Sequence, residues 1–241
     1  MTGLLISVRD ADEAATALAG GGDLLDIKEP GRGALGAASP SVWRDVLAVC
    51  QGQVPTSVAL GELLEDPDLG DGELLAGFQF AKLGLAGCGR QQRWYQRWTA
   101  VLRDLPPSVA PVAVVYADWT GCHAPPPLDI IHHAAQVPCQ AVLFDTYSKA
   151  DGNLWSHLPI RELAPLISRI RVSGLQVVLG GSLSGESVAL ACGLDPDYIA
   201  VRGAACRGSR NGPVDLERVR ALADLVHGVS GNREISPKCG R

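Results

Sequence analysis

The chain has 241 residues, 46% hydrophobic and 20% charged, with a formal net charge of -5. That is enough to bury the core of one sizeable domain, and with no basic run to offset the acidic balance it argues against a nucleic-acid or acidic-membrane partner. No apolar stretch approaches the ~20 residues needed to span a bilayer, and the opening MTGLLISVRDADEAA lacks a basic segment followed by a long apolar one, so a cytoplasmic protein without a signal peptide is expected.

Short β-branched runs ending in polar or glycine residues recur along the chain, each leading towards an Ala/Leu-rich stretch. The first strand is predicted at Leu4–Val8, with Asp10 as N-cap of a helix over Ala11–Ala19. The second, Leu24–Lys28, ends in LLDIK. It passes through the glycine-rich KEPGRGALGA, either a loop over the mouth of the fold or a long turn, to a helix over Val42–Cys50 behind Pro40 and Ser41. Strands at Thr56–Leu60 and Phe78–Leu83 follow, with little chain between them for a crossover helix. A helix over Gln91–Leu105 carries Trp94, Tyr95 and Trp98; the i,i+4 pair of tryptophans reads as packing or as a subunit contact in a homo-oligomer.

The second half continues the alternation. Strands at Val112–Ala117, Ala141–Asp145, Gln176–Leu179 and Tyr198–Arg202 are interleaved with helices over Leu128–Gln136, Ile160–Ser173 and Gly185–Ala191, and a last helix covers Leu216–Gly228. Residues 229–241 read as a polar tail outside a single domain spanning 1–228. The strands are mostly apolar rather than strictly alternating, as parallel strands buried on both faces are. Strand–helix alternation demands a parallel sheet with right-handed crossovers, and eight repeats favour closure of this α/β fold into a (β/α)8 TIM barrel. Ser7-Val8-Arg9-Asp10 stands where an open doubly wound sheet would carry its glycine-rich dinucleotide fingerprint, which leaves that fold as the alternative.

The cysteines, Cys50, Cys88, Cys122, Cys139, Cys192, Cys206 and Cys239, are scattered and contain no C-x-x-C pair, so neither a disulfide framework nor a metal cluster is supported. Most read as small buried hydrophobes. Cys122 beside His123 reads as loop filling rather than a thiolate pair, because adjacent side chains rarely face each other. His123, His132 and His133 lack a matching carboxylate spacing, and no metal site is expected.

Lysine usage points to the chemistry. The chain has 17 arginines but only four lysines, Lys28, Lys82, Lys149 and Lys238. Lys28 closes the second strand, Lys82 lies near the end of the fourth, and Lys149 follows the sixth in DTYSK, all at the end where such barrels build their active sites. Side chains alternate across a strand, so Asp26 and Lys28 share a face, and Lys28 and Lys82 can share a layer with Asp145 and Arg202. The bland reading makes each of these a strand-end salt bridge. A neutral lysine amine attacks carbonyls, which guanidinium cannot do, and desolvation or neighbouring cations such as Lys82 or Arg202 would raise its neutral fraction. Asp145, Lys82 and Lys149 are then candidates for proton transfer. Gly180-Gly181-Ser182 after strand seven and Arg202-Gly203-Ala204 after strand eight offer backbone N–H donors and charge for a phosphate. Asp118 adds a carboxylate at the rim.

From Leu4 to Val226 the sequence resembles the (5-formylfuran-3-yl)methyl phosphate synthase family of methanofuran biosynthesis. GGGDLLDIKEPGRGALGA and VRGAACRGSRNG carry most of the resemblance, with AKLGL, YAD, LFDT and LGGSL between them. The resemblance implies a class I aldolase-like lyase of TIM-barrel fold that joins two glyceraldehyde 3-phosphate molecules into a phosphorylated furan aldehyde, with loss of phosphate and water. It implies Lys28 as the Schiff-base lysine and Lys82 as the proton-transferring lysine, with Asp145 and Lys149 as a further functional pair and Asp26 beside the Schiff-base lysine. No metal or organic cofactor is implied. Ala150 before Asp151-Gly152, the missing lysine in TSVALGE and the Pro125-Pro126-Pro127 insertion depart from the family pattern. From the residues themselves, a class I aldolase acting on other sugar phosphates and a non-catalytic barrel binding a phosphometabolite remain alternatives.

Overall fold

In a computed structural model of the chain, residues 1–67 and 69–231 are described. Eight strands, β1 (Gly3–Val8), β2 (Leu24–Ile27), β3 (Thr56–Glu62), β4 (Phe80–Gly84), β5 (Ala110–Tyr116), β6 (Ala141–Asp145), β7 (Gln176–Leu179) and β8 (Tyr198–Val201), close into a barrel in sequence order. Every neighbouring pair is parallel, including β8 against β1. The closed barrel replaces the open-sheet alternative.

The helices follow as α1 (Ala11–Ala19), α2 (Pro40–Cys50), α3 (Gly72–Leu75), α4 (Trp94–Arg103), α5 (Pro127–Ala134), α6 (Leu154–His157), α7 (Ile160–Val172), α8 (Glu186–Cys192) and α9 (Leu216–Gly231). Asp10 caps α1 as predicted, its carboxylate accepting the Glu13 N–H at 2.9 Å. The two short helices α3 and α6 escaped the sequence pattern because one turn is too brief for a period to show; Asn153 nevertheless starts α6 with a capping box. The last helix runs past Gly228, and the rest of the expected tail, with Lys238 and Cys239, lies outside the described residues.

Strand parity sorts the side chains into two cores. Ile6, Leu25, Ile27, Val58, Ala81, Val115, Phe144, Leu179 and Ile199 face outward into the layer between sheet and helices. Leu5, Leu24, Ala59, Val112, Val114, Tyr116, Ala141, Leu143 and Val178 fill the barrel. Trp94 and Trp98 belong to the outer core, with Trp98 fully buried, so these tryptophans pack the barrel rather than line an exposed stripe. Tyr95 stacks on His133 at 4.5 Å beside them.

The glycine-rich segment after β2 packs as a loop against the inner core at the mouth of the barrel. Leu35 and Ala34 are buried against the inner core, the Gly61 N–H donates to the Leu35 carbonyl at 3.0 Å, and the Glu29 N–H donates to the Gly36 carbonyl at 2.8 Å. Gly36 is required by close approach, because a Cβ there would lie 2.4 Å from the Glu29 carbonyl oxygen.

Candidate active site

A polar cavity of about 400 Å³ opens at the C-terminal ends of the strands. Its wall includes Lys28, Lys82, Asp145 and Lys149, together with Gly180, Gly181, Ser182, Arg202, Gly203 and Ala204. Asp26 lies beneath it, fully buried.

Asp26 is held from three strands. Ser7 Oγ donates at 3.0 Å and Ser57 Oγ at 2.6 Å, and Lys82 Nζ sits 2.8 Å away. Burial alone would push this carboxyl up, but Lys82 and Lys28 outweigh it and hold it below its ordinary value. Lys82 therefore meets the carboxylate one inward position before Lys28, rather than standing free beside the Lys28 amine. Across the cavity Lys149 Nζ pairs with Asp145 at 2.6 Å and also donates to the Thr146 carbonyl. Asp145 is likewise held low against burial by Lys149 and Lys28.

Lys28 differs from both. Among the described residues its amine has neither an ion-pair partner nor a hydrogen bond, although it is only 7% exposed and faces the cavity. Burial pushes its pKa down to about 8; the pull of Asp145 and Asp26 upward is countered in part by Lys149 and Lys82. The lysine with a lowered pKa is thus the one at the floor of the cavity, flanked by two lysine–aspartate pairs.

The loops after β7 and β8 supply donors. Gly181 (φ +89°) and Ser182 (φ +53°) turn consecutively through the left-handed region. The N–H groups of Gly181, Ser182, Gly203 and Ala204 have no hydrogen-bond partner among the described residues, and all four residues line the cavity. That arrangement suits an anion.

Two residues expected at the substrate are used otherwise. Arg202 lines the cavity, but its guanidinium is turned to α1. Nη1 pairs with Glu13 at 2.8 Å and donates to the Ser7 carbonyl, Nη2 bonds Glu13 and the Gly212 carbonyl, and Nε bonds the Arg210 carbonyl at 2.7 Å. All five N–H donors are occupied, leaving none for a phosphate, and the neighbouring cations that weigh most on Lys28 are Lys149 and Lys82. Asp118 does not line the cavity; its two oxygens accept the N–H groups of Tyr147 and Ser148 at 2.7 and 2.8 Å, fixing the loop that carries Lys149.

Sequence reading missed two features. Arg210, Ser209 and Arg218 share the cavity wall, and Arg210 is half-buried. On the opposite rim Glu62 accepts from Tyr116 Oη and from the Ala86 N–H. Burial raises the Glu62 carboxyl and the Tyr116 phenol above their ordinary values. Strand parity places Gly61 inward and Glu62 outward, but the register shifts between Ala59 and Glu62, with Gly61 at φ +88°, and the carboxylate swings inside. Gly84 makes room for it, since a Cβ there would lie 2.1 Å from the carboxylate. Cys122 and His123 do not pair: the Cys122 thiol donates to the Trp119 carbonyl and is pushed up to about 11 by burial, while His123 faces Arg90.

A closed parallel barrel with buried lysines gathered in a polar cavity at its C-terminal face defines a (β/α)8-barrel enzyme. Solved barrels give the same fold. Thiamine phosphate pyrophosphorylase from Pyrococcus furiosus superposes with a TM-score of 0.62 at 12% identity, covering 94% of this chain and 96% of its own. Phosphoribosyl anthranilate isomerase from Thermus thermophilus gives 0.59 at 18%, covering 95% and 100%. The profile of the 4-HFC-P synthase family matches residues 4–223, and the chain belongs to that family. The (5-formylfuran-3-yl)methyl phosphate synthase of Archaeoglobus fulgidus is 31% identical, covering 93% of this chain and 99% of the relative. That of Methanocaldococcus jannaschii is 30% identical, covering 92% and 98%. Among the described residues no helix is long and apolar enough to cross a membrane.

Proposed function

We propose that this chain is a (5-formylfuran-3-yl)methyl phosphate synthase working through a Schiff base on Lys28, with glyceraldehyde 3-phosphate as substrate. The observation that carries this reading is the Lys28 amine, buried at the floor of a polar cavity without a bonded partner and with its pKa brought down to about 8. At pH 7 such an amine is about one-tenth neutral, against roughly 0.04% for an ordinary lysine. It adds to the carbonyl of one triose phosphate and loses water to give the imine. Removal of a proton beside the imine then gives an enamine, which attacks the aldehyde of a second molecule. Lys82 with Asp26 and Lys149 with Asp145 flank the amine and supply the proton transfers. Phosphate and water are lost as the ring closes, and addition of a water molecule to the imine carbon then breaks the bond to Lys28, releasing the furan aldehyde and the free amine. The N–H groups of Gly181, Ser182, Gly203 and Ala204 hold a phosphoryl group through these steps.

Incubation with glyceraldehyde 3-phosphate is expected to produce an ultraviolet-absorbing furan aldehyde and free phosphate. Borohydride added during turnover is expected to trap an adduct that maps to Lys28 and disappears in Lys28→Arg. Folded protein that yields neither product, or an adduct on another lysine, overturns the reading.

A further inference from the structure

Three of the six cations on the cavity wall are neutralised in pairs. Lys82 stands against Asp26 at 2.8 Å, Lys149 against Asp145 at 2.6 Å, and Arg202 against Glu13 at 2.8 Å. Lys28 carries the covalent bond in the proposed reaction. Besides Lys28, two cations of the wall have no ion-pair partner among the described residues, Arg210 and Arg218. A condensation of two triose phosphates brings two phosphoryl groups, each carrying about −1.5 to −2 charges at pH 7, into this one cavity. The backbone N–H groups after β7 and β8 provide partial charges, so full charge compensation has to come from these two guanidiniums.

Arg210 is the better placed of them. It is half-buried, whereas Arg218 is exposed on the first turn of α9. Its Cβ would lie 3.7 Å from a Cβ built on Gly203, which sets it beside the N–H groups of the β8 loop. Its charge is felt by Asp145, and burial lowers its pKa, as expected of a guanidinium drawn out of water. Its backbone is fixed by the bond from Arg202 Nε. One hydrogen bond is made by the guanidinium among the described residues, from Nη2 to the Gly33 carbonyl in the mouth loop at 3.1 Å. Most of its donors are thus directed at no protein acceptor, in the loop that runs beyond the end of β8 and beside the loop that follows β2.

We infer that Arg210 is the binding residue for the phosphoryl group of the second triose phosphate, the one that enters after the imine has formed, and that it engages this group from the same position in which it holds the mouth loop at Gly33. This rests on the proposed function for the identity of the ligand, but the anion site itself can be tested without it. The site accounts for specificity: an acceptor aldehyde lacking phosphate leaves a desolvated guanidinium uncompensated.

Titration calorimetry of the full chain with inorganic phosphate measures the site alone. The native protein is expected to bind two phosphates and Arg210→Gln one, with Arg210→Lys keeping both at reduced affinity for one. Loss of a charge-assisted hydrogen bond corresponds to a weakening of about 30-fold. Kinetics then assign the site to the second substrate. In Arg210→Gln the glyceraldehyde 3-phosphate concentration for half-maximal furan production is expected to rise about 30-fold, while that for borohydride trapping on Lys28 moves by no more than a few-fold. Equal phosphate stoichiometry in native and Arg210→Gln proteins of matching melting temperature overturns the site. A parallel shift of trapping and furan production overturns its assignment to the second substrate. If the native protein binds two phosphates but makes no furan, the synthase reading fails and the anion site stands.

Discussion

Lys28 shows how the surroundings of a side chain set its protonation. Its amine is pressed down by burial and by Lys149 and Lys82, and two carboxylates stop it from falling further, so it settles at about 8. Only the neutral amine attacks a carbonyl. The rate of borohydride-trappable imine formation is therefore expected to climb with pH, reach half its maximum near pH 8 and level off about a unit higher. An inflection near 10, or none, in a stopped-flow or quench series would detach Lys28 from the chemistry. The sign for stability follows from the same shift. The folded value lies below the unfolded one, so the charged form is disfavoured by folding, and the cost is present below about pH 8 and relieved as pH rises towards the unfolded value. At this scale the sequence was informative where chemistry restricts the residue type. Lysine, rare in a chain that meets most of its need for cations with arginine, stands at the cavity in three of four positions. It was misleading for Arg202 and silent for Arg210. Both are arginines in one segment, and only the three-dimensional position of Glu13, 189 residues away from Arg202, decides which of them is occupied.

At the scale of elements, the site depends on loops tied down by bonds that run between loops. Asp118, at the end of β5, captures two N–H groups of the loop after β6 and thereby orients Lys149 towards Asp145. Asp118→Ala is expected to lower kcat about tenfold with KM nearly unchanged, a loss of the order of one charge-assisted hydrogen bond. Steady-state kinetics showing an unchanged kcat, or a change confined to KM, would return Asp118 to a direct role in binding substrate. The mouth loop is tied in the same manner, through Leu35 to Gly61 and through Gly33 to Arg210. Glycine-rich composition was compatible with either a lid or a turn, because it reports what the backbone is able to do and not what it contacts. The position of Glu62 was illegible for a related reason. An extra residue in a strand reverses its parity, and nothing in TSVALGE apart from Gly61 announces that reversal.

For the molecule as a whole, the barrel was legible because each of its eight strands had to be apolar on both faces and each crossover had to supply chain enough to return. The strand ends that departed from expectation did so by one or two residues, and the helices α3 and α6 were too short to signal themselves. What the pattern of apolar residues could not convey was that the interior is not uniformly apolar. Ser7, Asp26, Ser57 and Lys82 meet inside it, one from each of the first four strands. Lys82→Met is expected to destabilise the protein by about 3–5 kcal/mol, because it abandons a buried carboxylate. Lys82→Met combined with Asp26→Asn is expected to recover most of that loss in urea unfolding while remaining inactive. Additive losses in the double variant would show that the two side chains do not depend on each other.

That shared carboxylate has an implication for how this catalyst can change over time. The pair to which the proposed reaction gives a proton transfer is also the rivet through which four staves of the cask are joined. Mutational drift at position 82 is therefore policed twice, once by turnover and once by folding. A descendant that abandons the reaction but keeps the scaffold would have to replace both members of the pair together, so the pair is expected to persist in such a lineage longer than the amine at position 28, whose removal leaves no ion stranded.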